Sequence, residues 1–147
     1  LHYPLRRQRQ MCIRDRFDLT LCNPPFHTSA EQAAAGSERK AKNLGYKKAE
    51  LNFAGRSHEL WCDGGEVAFI KTMIEESQSY AQQVLWFSSL VSKQDNLPAL
   101  QKQLTQLGTE HQVINMQQGN KQSRILVWSF MPQKQRQLWA LFRWQKK

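Results

Sequence analysis

FDLTLCNPPF, residues 17–26, is the stretch on which the reading of this chain turns. Phe17 to Cys22 is a short apolar run of the kind that forms a strand. It stops at Asn23-Pro24-Pro25-Phe26. Proline has no N–H to give to a sheet ladder and fixes its own φ, so the double proline ends the strand in a rigid turn. In an open α/β sheet, ligands bind beyond the carboxyl ends of the strands, which is where this turn falls.

The sequence downstream fits that placement. The apolar spacing of Val67, Ile70, Ile74 and Ser77, widened by Met73 and Tyr80, predicts a helix over about Glu66–Gln82, with Gly64-Gly65 just ahead of it. Val84–Val91 (VLWFSSLV) reads as a buried strand. A second helix starts near Asn96-Leu97-Pro98, carries Leu97, Leu100, Leu104 and Leu107 on one face, and stops at Gly108. His111–Met116 and Ser123–Met131 read as strands joined at Gly119-Asn120, an antiparallel hairpin. The expected class is α/β, with a mostly parallel sheet that ends in a hairpin. After Pro132 the chain is expected to be a basic tail bearing Trp139 and Trp144.

Composition narrows the function classes. Over 147 residues there are 21 Lys and Arg against 12 Asp and Glu, a net charge of +9. That balance points to an anionic partner such as nucleic acid, against the plainer reading of a basic soluble surface. Leu1–Arg16 holds five arginines and one aspartate, so it carries +4 of the total and leaves +5. It is expected to be a non-native or disordered leader, since MCIRDR reads like translated adapter sequence. The other reading is a basic RNA-binding arm. Cys12, Cys22 and Cys62 fit neither a disulfide framework nor a zinc site, so a reduced, cytoplasmic setting and no metal are expected. No apolar run approaches the roughly 18 residues of a membrane helix.

The Asn23–Phe26 turn suits methylation of an aromatic amine. Such an amine is a poor nucleophile because its lone pair is delocalised into the ring. Two acceptors on its hydrogens favour a pyramidal nitrogen and free that lone pair. The Asn23 side-chain oxygen and the Pro24 carbonyl are the candidates, held by Pro24 and Pro25 with little reorganisation. Phe26 is placed to stack on a flipped base. The alternative is a sharp turn with Phe26 in the core. Arg39, Lys40, Lys42, Lys47 and Lys48 follow the turn in a long polar segment and are candidates for clamping RNA phosphates, or else form a solvated loop. Lys93, Lys121 and Arg124 are further candidates near strand ends. Trp61, Trp86 and Trp128 are expected in the core, while Trp139 and Trp144 suit RNA contact and tail packing equally. Glu59, Asp63 and Glu66 read as helix-capping acids near Gly64-Gly65. Ser88, Ser89 and His58 make no recognisable nucleophile arrangement.

From Phe17 to Met131 the chain resembles the bacterial 23S rRNA adenine-N6-methyltransferases of the RlmF type. The resemblance rests on FDLTLCNPPFHTS (17–29), EQAAAGSERKAKNLG (31–45), LNFAGRSHELWCDGGEVAFIKTMIEES (51–77), WFSSLVSKQDNLPAL (86–100) and QGNKQSRILVWSFM (118–131). It implies the second half of a Rossmann-like domain dependent on S-adenosylmethionine, an adenine of 23S rRNA or a large-subunit precursor as target, and catalytic roles for Asn23, Pro24, Pro25 and Phe26. Asn23 would also face the methyl donor. The family's glycine-rich cofactor loop and acidic ribose-binding residue lie upstream of the Pro-Pro turn, and no counterpart is found in this sequence. Gly64-Gly65 is no substitute, because it follows the turn and lacks the strand–loop–helix context. DNA-adenine and protein-glutamine methyltransferases also use a Pro-Pro-aromatic turn, and a non-catalytic RNA-binding role is a further alternative.

Overall fold

The computed structural model describes residues 16–27, 62–119 and 121–144. Among these residues seven helices and strands follow in chain order: β1 (Phe17–Leu19), α1 (Gly65–Ser77), β2 (Val84–Val91), α2 (Leu97–Gln106), β3 (Glu110–Gln118), β4 (Lys121–Ser129) and α3 (Gln133–Trp144). Short 3₁₀ turns, Gln78–Tyr80 and Gln94–Asn96, follow α1 and precede α2.

The four strands form one sheet in the order β1-β2-β4-β3. β1 runs parallel to β2, with Phe17 opposite Val84 and Leu19 opposite Trp86. The hairpin folds its second strand inward. β4 lies antiparallel to β2, with Phe87 opposite Trp128 and Val91 opposite Arg124, and antiparallel to β3 on its other side. β1, β2 and β3 therefore share one direction and β4 alone opposes them. Gly119, at φ 58°, makes the hairpin turn in a conformation that glycine adopts without strain.

The core forms where α1 and α2 meet the sheet. Ile70 and Ile74 from α1 and Leu97, Leu100 and Leu104 from α2 close over Phe87, Val91, Leu126 and Trp128. The spacing of these residues is the i, i+3, i+4 pattern of the sequence. Phe87 and Trp128 stack at 5.7 Å between ring centroids. The Trp128 indole N–H donates to Ser77 Oγ at 3.1 Å, and Ser77 donates to the Ile74 carbonyl at 2.7 Å. The indole is thus buried with its one donor satisfied.

Several expectations change, among them the bounds of β4, which runs from Lys121 to Ser129 rather than from Ser123 to Met131. The first helix ends at Ser77 rather than running to Gln82, and Tyr80 is exposed. A 3₁₀ turn and the bonds from Ala81 N–H to Gln78 and Gln83 N–H to Tyr80 redirect the chain into β2, so Tyr80 leaves the apolar stripe. β3 extends two residues past the expected end and begins one earlier. The segment expected as a basic tail is helical from Gln133 to Trp144. Trp139 anchors that helix against Leu85, Met131 and Trp86, and its indole N–H donates to Asp18 Oδ1 at 2.7 Å. Of the two readings offered for Trp139, packing is the one observed; Trp144 is exposed. Trp86 is partly covered rather than buried, with the Arg136 guanidinium 5.0 Å above its ring.

Candidate active site

β1 delivers the Pro-Pro turn to the carboxyl edge of the parallel strands. Its ladder runs on past Leu19: Thr20 N–H donates to the Trp86 carbonyl at 3.0 Å, Cys22 N–H to Ser88 at 3.1 Å, and Leu90 N–H to Cys22 at 2.9 Å. Ser88 Oγ adds a 2.6 Å bond to the Thr20 carbonyl. Pro24 cannot donate the next rung, and among the described residues the parallel pairing ends at Cys22 opposite Ser89. Beyond it, Pro24 and Pro25 are buried, whereas Asn23 and Phe26 are exposed. The far side of the turn is tied down by Cys62 N–H, which donates to the His27 carbonyl at 3.1 Å. Two buried prolines hold one amide and one aromatic ring toward solvent. Phe26, 40% exposed, does not take the core position that was the alternative for it.

The adjacent thiol is shielded. Burial pushes the Cys22 thiol above its ordinary range, and a hydrogen bond with the Ser89 side chain pulls the other way. A neutral thiol beside Asn23 is a poor nucleophile at neutral pH. The Ser88 and Ser89 hydroxyls both donate to backbone carbonyls, those of Thr20 and Leu90.

The profile of a family described as RNA methyltransferase matches residues 9–132. The chain belongs to this family. The ribosomal RNA large subunit methyltransferase F of Escherichia coli strain SMS-3-5 is 58% identical over 124 residues, which is 83% of this chain and 40% of that protein. The protein of the same name from Shigella boydii serotype 18 gives the same figures. The chain thus spans about two-fifths of the length of these curated relatives. Among solved structures, the human METTL16 catalytic domain in complex with a MAT2A 3′UTR hairpin superposes with a TM-score of 0.60 at 23% identity, over 82% of this chain and 41% of that one. The N-terminal domain of human METTL16 in complex with SAH gives 0.52 at 22% identity, over 81% and 35%. The α/β architecture is that of part of a Rossmann-like methyltransferase domain, as expected, and its four described strands form a mixed sheet.

In this RNA methyltransferase family member, three further features gather at the edge that carries the Asn23–Phe26 turn. Lys93 lies two residues beyond β2 and is exposed. Arg124 is opposite Val91, the last residue of β2, and its guanidinium donates to Gln94 Oε1 at 3.2 Å. Lys121 opens β4 three residues farther out, so the hairpin overhangs the end of β2 by roughly 10 Å. The structure therefore brings the backbone positions of Lys93, Lys121 and Arg124 to one rim with the turn. Arg39, Lys40, Lys42, Lys47 and Lys48, like Glu59, Trp61 and His58, lie outside the described residues.

Glu66 is the residue whose role the sequence reading missed. Gly64 occupies the cap position of α1, at φ 78°, and no side chain caps that end. The Glu66 carboxylate turns instead toward the segment after β2. It is 3% exposed and accepts from Ser92 N–H at 2.6 Å and from Asn96 Nδ2 at 2.5 Å. Those partners are 26 and 30 residues away, so no local pattern announces them. Gly64 itself has no room for a side chain, since a Cβ there would come within 2.6 Å of the Ala68 Cβ. This explains Gly64-Gly65 as a helix entry.

Proposed function

We propose that this chain carries the catalytic turn and part of the RNA-facing rim of an enzyme that methylates the N6 amine of an adenine in 23S rRNA, free or in a large-subunit precursor, in the cytoplasm. The observation that carries the reading is the Asn23–Phe26 turn: two buried prolines at the carboxyl edge of β1, flanked by an exposed amide and an exposed ring. Support comes from relatives named as ribosomal RNA large subunit methyltransferases. Further support comes from solved complexes of the human METTL16 domain with an RNA hairpin and with SAH.

The chemistry asked of these residues is positioning. The Asn23 side-chain oxygen and the Pro24 carbonyl accept the two hydrogens of the adenine amine and favour a pyramidal nitrogen. Phe26 stacks on the extruded base, at a contribution of about 1–3 kcal/mol per base. S-adenosylmethionine, when bound, supplies the methyl group on a sulfonium. Asn23, exposed beyond the strand end where an α/β sheet receives its ligands, is the described residue suited to face it. The turn is fixed to β2 on one side and to Cys62 on the other, so its acceptors stay in place as the amine nitrogen gains positive charge.

The test is transfer of labelled methyl from S-adenosylmethionine to unmodified 23S rRNA, with DNA and peptide substrates in parallel. The chain is assayed alone and together with the upstream portion of a relative. Transfer to rRNA is expected, with kcat lowered by about 10² or more in Asn23→Ala, the scale of losing one preorganised partner of the reacting group. No transfer with the upstream portion present overturns the enzymatic reading, and transfer to DNA or peptide alone overturns the substrate.

A further inference from the structure

A carboxylate removed from water needs compensation, because burial disfavours its charge by several kcal/mol. Glu66 has three sources of it: the N-terminal end of α1, where the helix dipole favours an anion, and two donors, one on each carboxylate oxygen. Both donors belong to the five-residue segment Ser92–Asn96 that leaves β2. Ser92 N–H immediately precedes Lys93, and Asn96 closes the segment by giving its own N–H to the Lys93 carbonyl at 3.2 Å. The backbone of Lys93 is therefore held on both sides, directly or through Asn96, by one carboxylate. Lys93 is extended, at φ −106° and ψ 130°, and its side chain is exposed. Gln94, the next residue, receives the Arg124 guanidinium. Cys22 pairs with Ser89, three residues before Ser92, so this segment leaves β2 from the same carboxyl edge of the sheet as the Asn23–Phe26 turn leaves β1.

We propose that Glu66 is a positioning residue: through the Ser92–Asn96 segment it fixes Lys93 for contact with an RNA phosphate next to the target base. The inference rests on RNA being the ligand, as argued above, but not on methyl transfer. A flexible lysine on a free loop gives up conformational freedom when it binds, and ordering a rotamer-rich side chain and its loop costs affinity. A loop already bracketed at both ends has less to lose.

The prediction runs against simple charge. Glu66→Ala makes the chain more positive, which by electrostatics alone strengthens RNA binding. If Glu66 acts through Lys93, the same change weakens binding and removes one phosphate contact from the salt dependence. The experiment is the affinity of the full chain for a short adenine-containing RNA hairpin at several salt concentrations, below the melting temperature of every variant. Glu66→Ala and Lys93→Ala are each expected to weaken binding by about three- to tenfold. Each is also expected to flatten the slope of log K against log salt by about 0.7–0.9. The double variant should be little worse than either single one. Glu66→Gln keeps an acceptor for Ser92 N–H and can pair with a turned Asn96 amide, so it should bind within about twofold of the parent. If Glu66→Ala fails to fold, Asn96→Ala cuts one arm of the bracket and is expected to show a smaller loss of the same kind. Unchanged or tighter binding by Glu66→Ala or, failing that, by Asn96→Ala, or effects additive with Lys93→Ala, would overturn the proposal. Absence of RNA binding by the parent chain itself overturns the RNA reading and the positioning role with it.

Discussion

Phe26 and Cys22 bracket the turn and make opposite demands on their surroundings. Phe26 is left 40% exposed although a phenyl ring gains about 1.5–3 kcal/mol from full burial, and the stacking role proposed for it makes a distinct prediction from packing. Phe26→Leu is expected to keep the melting temperature and raise the KM for RNA, and Phe26→Tyr to restore it. A drop in melting temperature with unchanged KM would return Phe26 to a structural role. Cys22 is the reverse case, with a thiol held neutral by burial. Its folded pKa lies above the unfolded one. The stability this adds is complete below about pH 8.5, where the unfolded thiol titrates, and is lost as pH rises through the folded value. Cys22→Ser is therefore expected to lose less stability between pH 7 and 10 than the parent in denaturant titrations; parallel losses would refute it. At this scale the turn at Asn23–Phe26 was legible because proline chemistry is local. Glu66 was not, because its meaning depends on Ser92 and Asn96, which only folding brings to it.

Elements were legible in proportion to their periodicity. β2 has the bounds its apolar run predicts, Val84–Val91, and α2 begins where proline is favoured in a first turn. α3 was read as a tail because Lys134, Arg136 and Arg143 break up its apolar residues, and because Trp139 finds its partner on β1, 121 residues earlier in the chain. Among the described residues two side-chain interactions join α3 to β1, and magnitudes decide between them. The Arg143–Asp18 ion pair, 3.0 Å long, joins side chains that are 40% and 37% exposed, so it contributes at most a few tenths of a kcal/mol. Trp139 is 8% exposed, and truncating a buried tryptophan costs about 3–5 kcal/mol. Trp139→Ala is expected to lower stability by roughly that amount, Trp139→Phe by about 1–2 kcal/mol through the lost bond to Asp18, and Arg143→Ala by less than 0.5 kcal/mol. Urea unfolding of the three variants checks the ranking, and an Arg143→Ala effect equal to that of Trp139→Ala would reverse the assignment.

Across the whole molecule, fold class followed from the alternation of strand and helix, but the order of strands did not. β3 and β4 are both nine residues long, and although β4 carries the apolar run Ile125–Trp128, periodicity alone does not say which of them lies beside β2. The burial of Leu126 and Trp128 against Phe87 and Val91 decides it in favour of β4. Among the described residues, that placement leaves β3 joined to the sheet through β4 alone. Its consequence is kinetic. A hairpin closed by a tight turn zips in microseconds, whereas pairing across the sheet waits for distant chain to arrive. β3 and β4 are expected to reach β2 as a finished ribbon, with the docking of residues 124–128 onto 87–91 as the closing event. Trp128 stacking on Phe87 marks that event, so in a variant whose other four tryptophans are replaced by phenylalanine the change in emission during refolding should lag behind the rise of strand signal in the far ultraviolet. Simultaneous signals would mean that the ribbon never forms on its own.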